Sequence, residues 1–235
     1  MVTLETLYSQ VEEALNINSD DSTISRELIV DLIMQYREVW IKNESNRGRK
    51  TNQDIVQDLG CVEVELASSV ECANLPIPTN CMLLRTKCEI PRFIQGNAGK
   101  MFSRIGSVDM MDKAYKLIDY SRLSYTGKGR FNREGIFAFE YNNRLYFYSN
   151  RVNFKLTKYV NVRGVLSNPL DAVTFNSCNT GATCYDVQND VYPLTGSMWT
   201  LIKPKLVQEL MMNQMIPQDD SNNAKDDKTE MGGKK

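Results

Sequence analysis

The sequence predicts an α+β protein with an N-terminal antiparallel helix pair, a central, mostly antiparallel β domain, and a C-terminal helix followed by a disordered tail. Apolar residues recur every three or four positions in 1–50 and in 196–216, as in amphipathic helices. They alternate every second position in much of 51–195, as in strands with one buried face. The stretch 217–235 is polar and charged and has no aromatic residue.

Two helices are predicted before residue 50. Val2 to Leu15 has apolar residues at helical spacing, and Thr23 to Lys50 has the clearest stripe of the chain: Leu28, Ile29, Leu32, Ile33, Tyr36 and Trp40. Ser22, Thr23 or Ser25 can accept hydrogen bonds at the start of the second helix, and Asn46, Arg47 and Gly48 are typical of a helix end. A short polar connection favours antiparallel packing of the pair.

The next segments predict strands. Val62, Val64 and Leu66 alternate with glutamates, and Met82 to Ile90 alternates in the same way. Leu75 to Pro78 predicts a loop or a sheet edge because its prolines cannot donate to a ladder. A turn at Gly96 to Gly99 precedes a predicted short strand, Met101 to Ile105, and Met110 to Tyr125 is predicted as a short helix.

The hairpin prediction is strongest at Ile136 to Tyr148. Two aromatic runs flank Asn142 and Asn143, which tolerate the positive φ of a tight turn. Since both faces carry aromatic residues, the hairpin is central in a sheet or leaves one face for a partner. Tyr159 to Leu166 predicts a further strand with a bend at Gly164.

The C-terminal helix is predicted from the spacing of Trp199, Ile202, Leu206 and Leu210, with Pro204 in its first turn or at a kink. Two interpretations of this stripe stand. The four side chains bind a partner, or they pack on the subunit's own sheet.

Composition excludes several classes of active site. The 235-residue chain has no histidine, which removes Ser-His and Cys-His catalysis and His-containing metal sites. Its six cysteines form no C-x-x-C pair, so we expect buried or free thiols; a thiolate metal site from Cys72, Cys81, Cys88 and one other is the alternative. We expect no catalytic residue, metal or cofactor, and no enzyme activity.

We also expect a protein without a membrane association. No run approaches the ~20 apolar residues that cross a bilayer, and Met1 to Leu15 lacks the features of a secretion signal. The predicted location is therefore the cytoplasm, or an assembly that forms there.

Charge is unevenly distributed along the chain. Lys plus Arg against Asp plus Glu gives 6 against 14 in 1–84, 16 against 6 in 85–163, and 6 against 9 in 164–235. These are net charges of −8, +10 and −3. Either the signs compensate within one folded subunit, or a basic middle surface meets nucleic acid or the acidic face of another copy.

Basic clusters are the candidate DNA contacts, because phosphate contacts need only accessible cations. They are Arg47, Arg49 and Lys50 at the predicted helix end, and Lys128, Arg130 and Arg133 in a glycine-containing loop. Helix-end stabilisation and an ordinary basic loop are the alternatives. The loop lacks the glycine spacing and the Lys-Ser/Thr pair of a nucleotide-binding loop. The position of Glu63 and Glu65, alternating with apolar residues, is explained by the solvent-facing side of a strand.

The order of several segments resembles the head-to-tail connector proteins of tailed bacteriophages, and most of all the ring proteins of crAss-like phages. The resemblance rests on SRELIVDLIMQYREVWIKNESNRGR, then QDLGCVEVELAS with Cys72 and Cys81 following, then LLRTKCEIPRFI and NNRLYFYSN. It spans roughly Leu4 to Leu210. No catalytic residue is implied by it.

The resemblance implies a structural virion protein at the head-tail junction, assembled in the host cytoplasm. Its implied partners are other copies in a closed twelve-fold ring, the phage portal protein, other tail or ring proteins, and double-stranded DNA in transit. A basic third beside an acidic third suits the unlike faces of such a ring. The rival hypothesis is a nucleic-acid-binding protein with a basic, aromatic central domain. It would use the basic middle third of the chain, with the exposed Tyr and Phe residues of 137–148 as a stacking platform.

Overall fold

A computed structural model describes residues 3–15, 24–49, 52–68, 71, 75, 83–109, 111–130, 133–151, 154, 156–172, 175 and 191–215. The helices are α1 (Leu4–Leu15), α2 (Arg26–Asn46) and α3 (Gly196–Met215). The strands are β1 (Gln57–Leu66), β2 (Leu84–Thr86), β3 (Gln95–Gly96), β4 (Gly99–Lys100), β5 (Phe102–Ser107), β6 (Lys116–Leu117), β7 (Ile136–Tyr141), β8 (Arg144–Ser149) and β9 (Tyr159–Gly164). The predicted α+β class is confirmed.

The ends of α2 follow the predicted capping chemistry. The Ser25 side chain accepts from the backbone N–H of Leu28 at 3.2 Å, and the helix ends at Arg47 before Gly48, whose φ is +74°. The prediction was wrong for one residue of the stripe. Leu28 is 43% exposed because it lies on the outward side of the helix, opposite the buried Ile33.

The three helices share one apolar core with the loops that join them to the sheet. Two side-chain hydrogen bonds hold α3 against the other helices: Trp199 Nε1 donates to Gln10 of α1, and the Tyr36 hydroxyl of α2 donates to Glu209 of α3, both at 2.6 Å. The buried residues of this helical layer include Leu4, Leu7, Val11, Ile29, Ile33, Ile41, Ile55, Ile94, Val165, Met198, Ile202, Leu206 and Leu210. Pro204 lies inside α3.

The main sheet has seven strands in the order β5-β9-β1-β2-β8-β7-β6. Its pairs are antiparallel except β6–β7, which is parallel. The first and last strands are also linked, because the backbone N–H of Tyr115, just before β6, donates to the carbonyl of Ile105 in β5 at 2.7 Å. The sheet therefore curls into a near-barrel. β3 and β4 form a separate hairpin.

Both faces of the sheet are covered. The barrel interior is filled by side chains that include Leu59, Val62, Leu84, Ile105, Ala138, Leu145, Phe147, Val160 and Val162. The outer face of β7 and β8 is covered by a smaller cluster that contains Leu75, Leu83, Leu123, Phe139 and Tyr146. The predicted hairpin is confirmed, with φ of +48° at Asn142 and +57° at Asn143.

A buried arginine joins the helical layer to the barrel. Arg37 of α2 is fully buried; its Nε donates to the carbonyl of Pro193 at 2.9 Å, and its Nη1 donates to that of Leu166 at 2.8 Å. Because a buried cation loses its hydration, burial lowers the pKa of the Arg37 guanidinium below its ordinary value. The two carbonyls replace part of the lost water.

Other predictions need correction. Met110 to Tyr125 is not one helix: where it is described, it forms β6 and then a 3-10 helix, Tyr120–Tyr125, because its backbone pairs with β7. The strand predicted in Met82 to Ile90 is confined to β2. Cys88 is buried and disulfide-bonded, contrary to the expected thiol. Cys72, Cys81 and the predicted tail 217–235 lie outside the described residues.

Candidate assembly surfaces

The subunit has two unlike ends, and β5 and β9 run between them. Met101, just before β5, packs against the helical layer, whereas Ser107 at the end of β5 lines a cleft. β9 runs the opposite way: Thr157 precedes it at the cleft, and Val165 follows it in the helical core. The helical layer and the cleft therefore lie at opposite ends of the barrel. We call them the helical end and the cleft end.

The residues predicted to bind a partner lie inside the helical layer. Trp199, Ile202, Leu206 and Leu210 are between 0% and 7% exposed, because they pack against α1 and α2. This geometry favours the alternative interpretation, packing within the subunit. The outward side of α3 instead exposes Leu201 (56%), Met211 (39%) and Met212 (56%). We call these three side chains the α3 outer face; Lys205 and Gln208 are exposed beside them.

The first group of predicted DNA contacts lies at the end of α2. Arg47 and Arg49 pair with the same carboxylate, Glu44, at 3.1 and 2.5 Å. Both guanidinium side chains remain largely exposed, so they stay accessible to a phosphate or to a second carboxylate. Lys50 lies outside the described residues.

The second group lies at the cleft end. Lys128, Arg130 and Arg133 are exposed, and Asn150, just after β8, donates to the carbonyl of Gly127 at 3.2 Å, which holds the start of their loop. Arg133 immediately precedes Glu134, which lines the cleft. The structure thus keeps the two predicted basic groups at opposite ends and does not combine them into one DNA-binding surface.

Most of the aromatic platform of the rival hypothesis is buried. Phe137, Phe139, Tyr146 and Phe147 are at most 4% exposed, and the last three pack in the clusters on the two sides of the sheet, whereas Tyr141 and Tyr148 are half-buried. Stacking of bases requires an open ring face. The buried rings are structural, and the sequence pattern alone did not distinguish that role from a binding role.

Part of the basic middle region is neutralised inside the subunit. Arg85 pairs with Glu65 and Glu71, Lys87 with Glu63 at 2.9 Å, Lys100 with Glu140, and Arg163 with Asp58 at 2.6 Å. Most of these carboxylates belong to the acidic first third of the chain. The compensation expected between the thirds is therefore present, and the exposed cations that remain are concentrated in the segments around the cleft.

The cleft has a volume of about 640 Å³ and is lined by residues 107, 111–116, 134–136, 151, 154 and 157. Its floor is the end of the barrel core: Tyr115 packs edge-on against Phe147 and Phe154, with ring centroids 6.0 and 6.1 Å away. Burial, and then the nearby Asp112 carboxylate, raise the pKa of the Tyr115 phenol above its ordinary value.

The rim of the cleft is apolar and basic. Met111 lines it and is 93% exposed, and Leu156 and Val108, adjacent in sequence to lining residues, are 78% and 42% exposed. The charged lining residues are Lys113, Lys116, Arg151, Asp112 and Glu134. Large exposed apolar side chains around a concave site are typical of a protein contact. Sequence analysis missed this site, because its three segments are brought together by the fold.

An exposed stripe runs along α2 at the helical end. Leu28, Asp31, Gln35 and Val39 follow each other at three- and four-residue spacing and are all exposed, with Leu28 at 43% and Val39 at 55%. Glu27 and Glu38 flank this stripe, and Lys42 continues it. We call Leu28, Asp31, Gln35 and Val39 the α2 outer stripe. Its charged neighbours on α2 are mainly acidic, and Glu38 and Lys42 line a pocket that also contains Arg92.

The described part of the chain shows no grouping of three or more histidine, cysteine or acidic residues able to hold a metal ion. None of its helices has both the length and the apolar character needed to cross a bilayer.

Comparison with known sequences gives two matches. The family described as Phage tail ring protein 2 matches residues 6–228 of this chain. Ring protein 2 of Bacteroides phage crAss001 is 24% identical over 230 residues, which cover 95% of this chain and 96% of that protein.

Proposed function

This chain belongs to the family of phage tail ring protein 2, and we propose from that membership that it is a structural virion protein that forms a connector ring between the phage portal and the tail. The ring encloses a channel through which double-stranded DNA leaves the head. Other copies, the portal protein and other tail or ring proteins are its partners, and assembly takes place in the host cytoplasm. The resemblance to crAss-like phage ring proteins is confirmed at the family level.

The observation that supports assembly most directly is the pair of unlike ends. A closed ring needs a heterologous contact, in which one surface of each copy meets a different surface of the next. The cleft end carries exposed Met111 and basic side chains, whereas on the α2 outer stripe at the helical end exposed Val39 lies near Asp31 and Glu38. Surfaces that differ in shape and charge sign suit such a contact.

The channel wall is proposed to carry few cations. A strongly basic lining would hold DNA through many phosphate contacts and would oppose its passage. We therefore place most exposed cations of 85–163 at contacts between subunits or between rings. A ring structure with most of these cations around the channel would contradict this placement.

Electron microscopy of the purified chain, alone and mixed with its portal protein, tests the proposal. We expect closed rings of twelve copies that stack coaxially on the portal. A chain that stays monomeric at high concentration and is absent from mature particles would refute it. The same sample, titrated with short single-stranded DNA at low salt, tests the rival hypothesis, for which tight and salt-sensitive binding by the monomer is expected.

A further inference from the structure

We infer that the cleft is the acceptor site for the α2 outer stripe of a second copy of this chain. The inference rests on the proposed ring and identifies the two surfaces that meet in it. The cleft contributes its apolar rim and its cations, and the neighbouring copy contributes a convex helix face with Leu28, Asp31 and Val39.

Shape supports this pairing. The cleft is a concave site of about 640 Å³ at the end of the barrel. An α-helix is a convex cylinder about 10–12 Å across with its side chains, and α2 presents a straight row of exposed residues over 28–39. A helix face laid in an apolar groove, anchored at three- and four-residue spacing, is a recurrent mode of protein recognition.

Exposed apolar side chains on both surfaces also support the pairing. Met111 is 93% exposed at the cleft, Leu156, which precedes the lining residue Thr157, is 78% exposed, and Val39 and Leu28 are 55% and 43% exposed on the stripe. Contact between the two surfaces removes this apolar area from water, which is the main favourable term in protein association.

The charges of the two surfaces determine which surface of one copy meets which surface of the next. Lys113, Lys116 and Arg151 outnumber the carboxylates of the cleft lining, Asp112 and Glu134. On α2, Glu27, Asp31 and Glu38 outnumber the neighbouring Lys42, and Arg26 already pairs with Glu5 of α1. Contact between the cleft of one copy and the stripe of another therefore brings opposite charges together. A contact between two clefts or between two stripes would bring like charges together.

Position in the subunit favours a ring. The cleft and the stripe lie at opposite ends of the barrel, so one copy can use both surfaces at the same time. A contact between opposite, unlike surfaces propagates from copy to copy and closes when the rotation between neighbours divides a full turn.

Two blocked variants test the pairing. Met111→Asp with Leu156→Asp blocks the cleft, and Leu28→Lys with Val39→Lys blocks the stripe. Each pair adds charges of the same sign as the surface that it would meet, carboxylates against the acidic stripe or ammonium groups against the basic cleft, and we expect ring formation to weaken by about tenfold or more. All four positions are exposed in the monomer, and circular dichroism checks that each variant folds.

Mixing the two variants is the decisive measurement. The stripe-blocked chain keeps an intact cleft, and the cleft-blocked chain keeps an intact stripe, so we expect one-to-one heterodimers that grow no further. Light scattering after size-exclusion chromatography distinguishes dimers from monomers and rings. Tyr125→Asp is the matched control: Tyr125 is 82% exposed outside both surfaces, and its variant should form normal rings.

Rings that persist in either blocked variant, or a mixture that stays monomeric, would overturn the pairing while leaving the proposed ring intact. Failure of the unmodified chain to form closed particles would instead refute the proposed function. If a charged variant does not fold, the corresponding serine pair removes the apolar contact without adding charge. It distinguishes failure of the pairing from failure of the proposed ring in the same way.

Discussion

Tyr115 donates its backbone N–H to the carbonyl of Ile105 at 2.7 Å, and this bond links the two ends of a seven-stranded sheet. An open sheet edge offers unpaired N–H and C=O groups to another chain. Here β5 is bonded on one side to β9 and is contacted on the other by the segment that leads into β6. Strand addition at β5 is thus disfavoured, which is consistent with the proposed assembly through side-chain surfaces at the two ends of the barrel.

Replacing Arg37 should reveal how strongly the helical layer is joined to the barrel. Arg37→Ala leaves the carbonyls of Leu166 and Pro193 without their donor and opens a cavity around a fully buried position. We expect the free energy of unfolding to fall by about 3–5 kcal/mol. Urea denaturation followed by circular dichroism measures it.

Arg37→Met provides the informative comparison. Methionine fills much of the same space and removes the cost of burying a charge, although it still leaves the two carbonyls unpaired. We expect a smaller loss, about 1–2 kcal/mol. Arg92→Ala, at an exposed arginine, should change stability by less than about 0.5 kcal/mol. Equal losses for alanine and methionine at position 37 would contradict the cavity contribution.

Gly164→Ala should destabilise the end of β9. A Cβ at this position would lie 2.6 Å from the Phe93 ring and 2.7 Å from the carbonyl oxygen of Met101, so the backbone of the neighbouring segment would have to move. We expect a loss of about 1–3 kcal/mol in thermal or urea unfolding. Gly129→Ala is the matched control because nothing lies within 4 Å of its Cβ. A tolerated Gly164→Ala would show that Phe93 has room to shift.

Tyr8→Phe should change the alkaline unfolding of the protein. The Tyr8 hydroxyl donates to the Glu12 carboxylate, and this hydrogen bond, followed by burial, raises the pKa of Tyr8 to about 12. A raised pKa stabilises the folded state fully below the unfolded value of about 10, and this stabilisation is lost as the pH rises toward 12.

The measurement compares Tyr8→Phe with the unmodified chain by urea denaturation at several pH values. We expect a difference of about 1 kcal/mol at pH 8, the usual contribution of one hydrogen bond, and a decrease of that difference above pH 10. The other tyrosines are present in both proteins, so the difference reports Tyr8. A difference that does not change up to pH 12 would be incompatible with the Tyr8–Glu12 bond.

Local chemistry made several elements predictable from the sequence. The start and end of α2 follow from Ser25 and Gly48, and the β7–β8 turn follows from two asparagines that adopt positive φ. β6 was missed because its two residues become a strand by pairing with β7, a contact that no local pattern encodes. Arg37 was missed for a similar reason, since its acceptors lie far away in the chain.

Among the candidate surfaces, too, some were predictable from the sequence and others were not. The apolar stripe of the C-terminal helix, which begins at Trp199, was predicted from its spacing. Spacing alone does not show whether such a stripe faces the core or a partner, and the structure places these side chains in the core. The cleft was not predicted, because Met111, Glu134 and Phe154 converge only in the folded barrel. Contact surfaces between copies have no sequence motif comparable to a catalytic triad.

The α3 outer face leads to a prediction about the portal. Leu206 and Leu210 of α3 face the helical core, whereas Leu201 and Met212 are each 56% exposed on the other side of the helix, beside the exposed Lys205 and Gln208. Large exposed apolar side chains that lie close together are typical of a protein contact. In the proposed ring the α2 outer stripe and the cleft are used between copies, which leaves the α3 outer face for contact with the portal or an adjoining ring.

Leu201→Asp with Met212→Asp should therefore separate ring formation from docking. Because both residues lie outside the proposed copy-to-copy contact, we expect rings in normal yield, but with portal affinity reduced by about tenfold or more, since two carboxylates would have to be desolvated. Co-sedimentation of preformed rings with the portal measures this, and Tyr125→Asp rings are the control. Rings that bind the portal with unchanged affinity would exclude the α3 outer face from the docking contact, whereas loss of the rings themselves would place it between copies.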